Sequence, residues 1–334
     1  MKNRTAVSVV GGESLLGREL RDLIFSERVP VQVRLLGVDE SSVTLTEQDG
    51  EPAIMTPLDE ENLTGSAVAV LAGSAASSRK ALSLAATSSP QPVLVDMTYV
   101  AEDDPAARLR APLVEPPGFA APGGAVHVIA HPAAVALALF AQRLTSAQRI
   151  RRWTAEIFEP ASERGQRGLD ELRKQTVGLL SFQSLPKEVF DAQVGFNMLA
   201  RYGDDAPEAL ESIELRIERH LASLLGACPT APMPSIRLVQ APVFHGYSIS
   251  VHAEFEEKPD TLRLAEALSS PEVDVRIGDI EPPNNVGIAG QNGIAVGSIL
   301  PDRNDSNACW FWIVADNYRL MAENALAVVR SLLS

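Results

Sequence analysis

Three groups of residues could do chemistry by type and spacing. The first is the turn Gly11-Gly12-Glu13-Ser14-Leu15-Leu16-Gly17, which follows an apolar run at residues 6–10. It leads into a segment with Leu15, Leu16, Leu20, Leu23 and Ile24 at helical spacing. A strand, a glycine-rich turn and a helix N-terminus make a diphosphate site, because backbone N–H groups and the helix dipole both favour an anion. Gly11 suits the tight turn, and Gly17 lets the helix approach the sheet. The middle glycine, which admits the backbone to the phosphates, is replaced by Ser14, and Glu13 adds a negative charge where a negative ligand would sit. Gly73, just past the apolar run at 67–71, joins this candidate cofactor set. Such turns also occur in empty α/β domains.

The second group lies at the end of the next apolar run, in Gly37-Val38-Asp39-Glu40-Ser41. A carboxylate there accepts from a ribose 2′-OH and repels a 2′-phosphate, so Asp39 and Glu40 favour NAD over NADP if a dinucleotide binds. Two solvated loop carboxylates would read the same way. The third group is His131, Glu159, Glu163, Arg164, His245 and Tyr247. A carboxylate–histidine set of this kind does acid–base work or binds a metal. The preferred reading is mutually paired or solvent-facing residues around a disused cleft, and no close-spaced metal motif supports a metal site. Cys309 sits in the apolar stretch CWFW and reads as a buried, inert thiol, and Cys228 lies in a proline-rich loop.

The elements that must position these residues alternate. Short apolar runs at 6–10, 33–38, 67–71, 93–95 and 126–130 are separated by helical or turn-rich stretches, including 77–86. That is the pattern of βαβ units and a Rossmann-like, doubly wound parallel sheet. After His131-Pro132 the pattern changes. A helical run at 133–144 precedes strand-like alternation at 152–158, 236–243, 247–255, 273–277 and 295–300. A helix is expected over 207–225, with Pro207 in its first turn and Gly226 and Pro229 stopping it. A last helix is expected from Asp316-Asn317 to Leu333. The second half therefore reads as an α+β domain with a mixed or antiparallel sheet.

With 334 residues and 46% hydrophobic composition, the chain can fill two such cores. The net charge of −14 and a pI of about 4.9 disfavour nucleic-acid and anionic-membrane partners. Two cysteines exclude a disulfide scaffold, and the longest apolar stretch, 133–141, is too short for a membrane span. A cytoplasmic protein is expected.

Seven segments occur in order along almost the whole chain: VSVVGGESLLGREL, VLVDMTYV, VIAHPAAVAL, DELRKQT, VGFNML, QAPVFHGYSISV and WFWIVADNYR…NALAVV. Together they resemble the aspartate-semialdehyde dehydrogenase family, and in particular its degenerate Usg-type branch. The resemblance implies a dinucleotide domain at residues 1–130 plus 317–334 and a catalytic and dimerisation domain at 131–316, hence a homodimer. It implies reductive dephosphorylation of β-aspartyl phosphate with NADPH, through a thiolate at a helix N-terminus and a histidine that moves protons.

Carried over residue by residue, the thiol position is Ala134, the histidine is Tyr247 and the substrate-carboxylate arginine is Gln240. The phosphate-binding arginine falls at about Glu102, and the glutamine near the thiol falls at Glu159. The charged pair on the long helix is kept as Glu214 and Arg216. Loss of a nucleophile or its base typically costs on the order of 10⁶ in turnover. The expectation is a catalytically inactive homologue acting as a dimeric binding or regulatory protein, with a small molecule or dinucleotide (NAD or NADP) as a possible ligand. The alternative expectation is an active NAD(P)-dependent oxidoreductase of the same family.

Overall fold

The computed structural model describes residues 5–37, 43–48, 51–116, 118–120, 124, 126–226 and 230–333. Asp39, Glu40 and Cys228 lie outside the described residues. The chain divides into two compact units, Met1–Ala130 with Met321–Ser334, and His131–Leu320.

The first unit runs β1 (Thr5–Val10), α1 (Leu15–Ser26), β2 (Val31–Gly37), β3 (Thr44–Gln48), β4 (Glu51–Pro57), α2 (Glu60–Leu63), β5 (Val68–Leu71), α3 (Ala75–Thr87), β6 (Val93–Asp96), β7 (Arg108–Arg110) and β8 (His127–Ile129). Its eight strands lie in the order β3-β4-β2-β1-β5-β6-β8-β7. All neighbours are parallel except β3 and β4, so the expected parallel sheet carries one antiparallel edge strand. The central strands read as unbroken apolar runs because helices cover both faces. On one face, Leu20, Leu23 and Ile24 of α1 pack with Met321, Ala325 and Val329 against Val7, Val9 and Val70. On the other, Ala81 and Ala85 pack with Leu63 against Val10, Ala69 and Leu71. The chain leaves β1 towards β2 and returns on its other side as β5. The topological switch point therefore falls at the carboxyl end of β1, where α/β sheets open a ligand crevice.

The second unit contains α4 (Pro132–Ala147), β9 (Ile150–Glu159), α5 (Gly165–Leu180), α6 (Leu210–Leu225), β10 (Ser235–Gln240), β11 (Tyr247–Phe255), α7 (Thr261–Leu268), β12 (Val273–Arg276), β13 (Ile294–Pro301) and β14 (Ala308–Ala315). Helix α8 (Asn317–Leu333) begins in it. The strands form one mixed sheet, β10-β9-β11-β14-β13-β12, parallel at its two edge pairs and antiparallel between. Helix α4 is apolar nearly all round, and so it is buried rather than amphipathic. Its Phe140 meets the rings of Trp153 and Phe311 at 6.1 and 5.1 Å. Helix α6 starts at Leu210, so Pro207 stands ahead of the first turn instead of within it. Helix α5 has no counterpart among the elements read from periodicity; it follows directly from a 3-10 turn at Ala161–Arg164.

Candidate functional site

The two candidate sites lie in different units. In the first unit, Gly11 adopts φ +78°, and a Cβ there would fall 2.3 Å from Gly73 Cα. A Cβ on Gly17 would meet the Gly11 carbonyl oxygen at 2.4 Å. Glycine at these positions lets the β1–α1 and β5–α3 turns touch. Ser14 is the N-cap of α1: its Oγ accepts from Gly17 N at 2.8 Å and donates to the Ala72 carbonyl at 2.6 Å. Its side chain thus ties the two turns together instead of standing in the crevice. Leu15 and Leu16 open the helix, and Leu16 packs partly buried on the core.

Glu13, expected to place a negative charge where a negative ligand would sit, is held by three side-chain donors. Its Oε1 accepts from Arg21 Nη1 at 2.7 Å and Thr46 Oγ1 at 2.5 Å, and its Oε2 accepts from Arg18 Nη2 at 2.9 Å. Burial pushes the carboxyl's pKa up, but the Thr46 hydroxyl and the two arginines outweigh it and hold the pKa below the ordinary value. The glycine cradle, the switch-point position and the capped helix fit the backbone contacts of a dinucleotide diphosphate.

In the second unit, β9 and β10 end at Glu159 and Gln240, a register pair, and β11 starts at Tyr247 opposite Ala315. One end of the sheet therefore gathers these three residues with the start of α8. His131 caps α4, its Nδ1 accepting from Ala133 N at 3.3 Å while its own N–H donates to His220 Nδ1 at 3.0 Å. With Nδ1 an acceptor, the ring proton sits on Nε2, which faces Glu163 Oε2 at 3.9 Å. Burial, then the neighbouring His220, Arg216 and Arg164, hold the imidazole pKa well below its usual value. Ala134 follows in the first turn of α4, its methyl fully buried.

Around this cap lies a closed polar network. Arg164 bridges Glu159 (3.0 Å) and Glu208, and Arg216 also binds Glu208 at 3.0 Å. Burial works to raise the pKa of Glu208, yet Arg164 and Arg216 bring it below the ordinary value. Glu159 is completely buried, and its Oε2 has no hydrogen-bond partner. Burial first, with Glu163 and Glu208 adding to it against Arg164, pushes its pKa up to about 7. Glu163 is raised in the same way by burial, against the Arg164 charge and a hydrogen bond from Asn317 Nδ2 at 2.8 Å.

Gln240 is saturated. Its Nε2 donates to the carbonyls of Glu159 and Ala241, both at 2.9 Å, and its Oε1 accepts from Tyr202 Oη at 2.6 Å. Tyr247 is wholly buried, 5.9 Å from the His131 ring. Glu214 accepts from Leu238 N at 2.5 Å, tying α6 to β10.

Of the sequence candidates, the structure brings together His131, Ala134, Glu159, Glu163, Arg164, Arg216, Gln240 and Tyr247. It does not bring His245 into this hydrogen-bond network: that residue is exposed, its ring packed against Tyr318. Glu102 belongs to the first unit, in the turn after β6. Periodicity missed Tyr202, Glu208, His220 and Asn317, of which the first two sit in a long segment without regular structure; Asn317 was signalled only by the helix start beside it. Among the described residues no group of three or more His, Cys, Asp or Glu is placed to hold a metal ion, and no helix is long and apolar enough to cross a membrane. Cys309 is buried, its thiol pKa pushed up to about 11 by burial and then by Asp302.

Residues 143–320 match the family model described as semialdehyde dehydrogenase, dimerisation domain. The chain belongs to this family. Membership extends to full-length similarity. An aspartate-semialdehyde dehydrogenase from Rickettsia bellii is 25% identical over 96% of this chain and 94% of its own length. A USG-1 protein homolog from Pseudomonas aeruginosa is 35% identical over 47% of each chain. A solved structure of a probable aspartate-semialdehyde dehydrogenase from Pseudomonas aeruginosa superposes with a TM-score of 0.87 at 26% identity, covering 99% of both chains. Aspartate semialdehyde dehydrogenase II from Vibrio cholerae shares the semialdehyde dehydrogenase fold at TM-score 0.85 and 21% identity, over 99% of this chain and 98% of that one.

Proposed function

We propose that the chain is a catalytically inactive relative of aspartate-semialdehyde dehydrogenase that serves as a homodimeric binding or regulatory protein, in the cytoplasm. The observation that carries this is Ala134. A helix N-terminus lowers a thiol's pKa and makes it a nucleophile, and the residue in the first turn of α4 has only a buried methyl to offer. The surrounding groups support the same reading. Gln240 and Tyr202 satisfy one another, and Arg164 and Arg216 are bound to internal carboxylates instead of facing a substrate. Glu159 and Glu163 can exchange protons, but acid–base groups without a nucleophile cannot form the acyl-enzyme on which the family reaction depends. Purified protein given aspartate semialdehyde, phosphate or arsenate, and NAD or NADP is expected to show no turnover. Turnover that disappears when His131 or Glu159 is replaced would overturn the proposal.

The dimer is supported by the family description and by the surface of α5. Val177, Leu180 and Phe182 are 56, 70 and 99% exposed beside a groove of about 500 Å³ lined by Arg173, Lys174, Val177, Leu185 and Pro186. The segment after α5 is not loose. Buried Gln175 holds the carbonyls of Pro186 and Ala192 and the N–H groups of Val194 and Gly195, and Glu171 holds those of Val189 and Phe190. Large apolar side chains left in water on and just after α5, next to this pinned segment, favour a surface that gets covered. We assign it to a second copy of the chain.

The glycine cradle favours a further reading, that a dinucleotide still binds. The Gly11–Gly17 turn and the N-terminus of α1 would hold its diphosphate, and the nicotinamide would supply hydride transfer. Calorimetric titration with NAD and with NADP tests this, with Asp39 and Glu40 favouring NAD; absence of heat at millimolar cofactor refutes it.

A further inference from the structure

We propose that Glu13 is an internal anion: it fills a site made by Arg18, Arg21 and Thr46 that would otherwise take a phosphate monoester dianion at the mouth of the glycine turn. The inference concerns the same turn as the dinucleotide reading, and the two fail separately.

The donors come from two elements. Arg18 and Arg21 stand one turn apart on α1, and Thr46 comes from the edge strand β3, 33 residues away from Glu13 in sequence. An ordinary surface acid–arginine pair has one exposed partner on each side. Here one carboxylate collects three donors, and the Arg21 side chain is only 4% exposed. Guanidinium forks with a hydroxyl match the oxygens of a phosphate as well as those of a carboxylate.

The architecture sets Arg21 in place by more than Glu13. Its Nη1 also donates to the Gly12 carbonyl at 2.9 Å. A Cβ on Gly12 would press Leu35 Cδ2 at 3.0 Å and meet Arg21 Cδ at an ordinary contact of 3.6 Å, so this arginine packs directly over the Gly12 backbone. The site also opens to water, since the side chains of Glu13 and Arg18 are 32 and 59% exposed. A free anion can therefore reach the donors once Glu13 is removed. In the intact protein the carboxylate occupies the donors and cancels one of the two arginine charges, which leaves less attraction for a second negative group.

The experiment compares wild type with Glu13→Gln and Glu13→Ala, titrating inorganic phosphate, 2′-AMP and 5′-AMP by calorimetry and by thermal shift. Gln keeps an oxygen for Arg21 and Thr46 and removes only the charge, so it remains informative if Ala fails to fold. Phosphate is expected to bind on the order of tenfold more tightly to the variants than to wild type, more so to Ala than to Gln. That gain should vanish when Arg18→Ala is added. A 2′-AMP preference over 5′-AMP and phosphate would identify a ribose phosphate as the source, and equal binding would identify the free anion. Folded variants that bind no phosphate, or bind it no better than wild type, overturn the proposal.

Discussion

Glu159→Gln removes one charge from the second unit's polar network while keeping its shape. Three carboxylates, Glu159, Glu163 and Glu208, share two guanidiniums, Arg164 and Arg216, so one negative charge is in excess. Glu159 bears it worst, being completely buried with one oxygen unbonded. Its pKa rises from 4.5 in the unfolded chain to about 7 in the fold. Between those values the folded protein holds a proton that the unfolded chain lacks, so stability falls as pH rises across that window. At about 1.4 kcal/mol per tenfold in proton affinity, ionising Glu159 in the fold costs about 3 kcal/mol above pH 7, and nothing below pH 4.5, where both states are protonated.

The glutamine variant lacks this cost. Its advantage over wild type in urea unfolding should therefore be largest at pH 8.5, shrink through pH 7 towards pH 5, and disappear near pH 4.5. His131 does not confuse the comparison. Its depressed pKa costs stability only as pH falls below about 6.5, and equally in both proteins. A difference between the two proteins that is the same at pH 5.5 and pH 8.5 would refute the charge-excess reasoning.

Other outcomes follow from the same contacts. Tyr202→Phe strips the buried Gln240 Oε1 of its donor and should cost about 1–3 kcal/mol in urea unfolding. Gly17→Ala sets a methyl against the Gly11 carbonyl and should lower stability by about 1–3 kcal/mol, visible as a drop in Tm. Gln175→Ala should raise amide exchange over residues 186–195 far more than in the strands, because two N–H groups and two carbonyls lose their shared partner. Leu180→Glu with Phe182→Glu should halve the mass seen by sedimentation at micromolar concentration without changing the circular dichroism of the fold.

Much of the architecture was legible because it is local. The helical spacing from Leu15 and the apolar run after His131-Pro132 point to helices, and α1 and α4 begin there. Period-two alternation located β9, β10 and β11, whose ends hold Glu159, Gln240 and Tyr247. The absence of a thiol at residue 134 is likewise a fact of sequence. Helix α5 has no counterpart in the sequence reading although it is amphipathic, because its segment is mostly polar and carries Gly165, Gly168 and Gly178, residues that weaken a helical signal.

What the sequence could not state is who neutralises whom. Glu13 read as a repelling charge until Thr46, 33 residues on, and two arginines were seen to bind it. The His131 cap depends on His220, 89 residues away, and Ser162 meets Asn317 across 155. Glu159 read equally well as solvent-facing or paired; in the fold it is buried, half-paired and titrates near neutrality. The strongly patterned helices and strands follow from neighbours within a few residues, so sequence alone determined those, while α5 and the edge strands β3 and β4 emerged only in the fold. Burial, ion pairing and protonation depend on groups that only long-range folding assembles, and for these the tertiary structure was decisive.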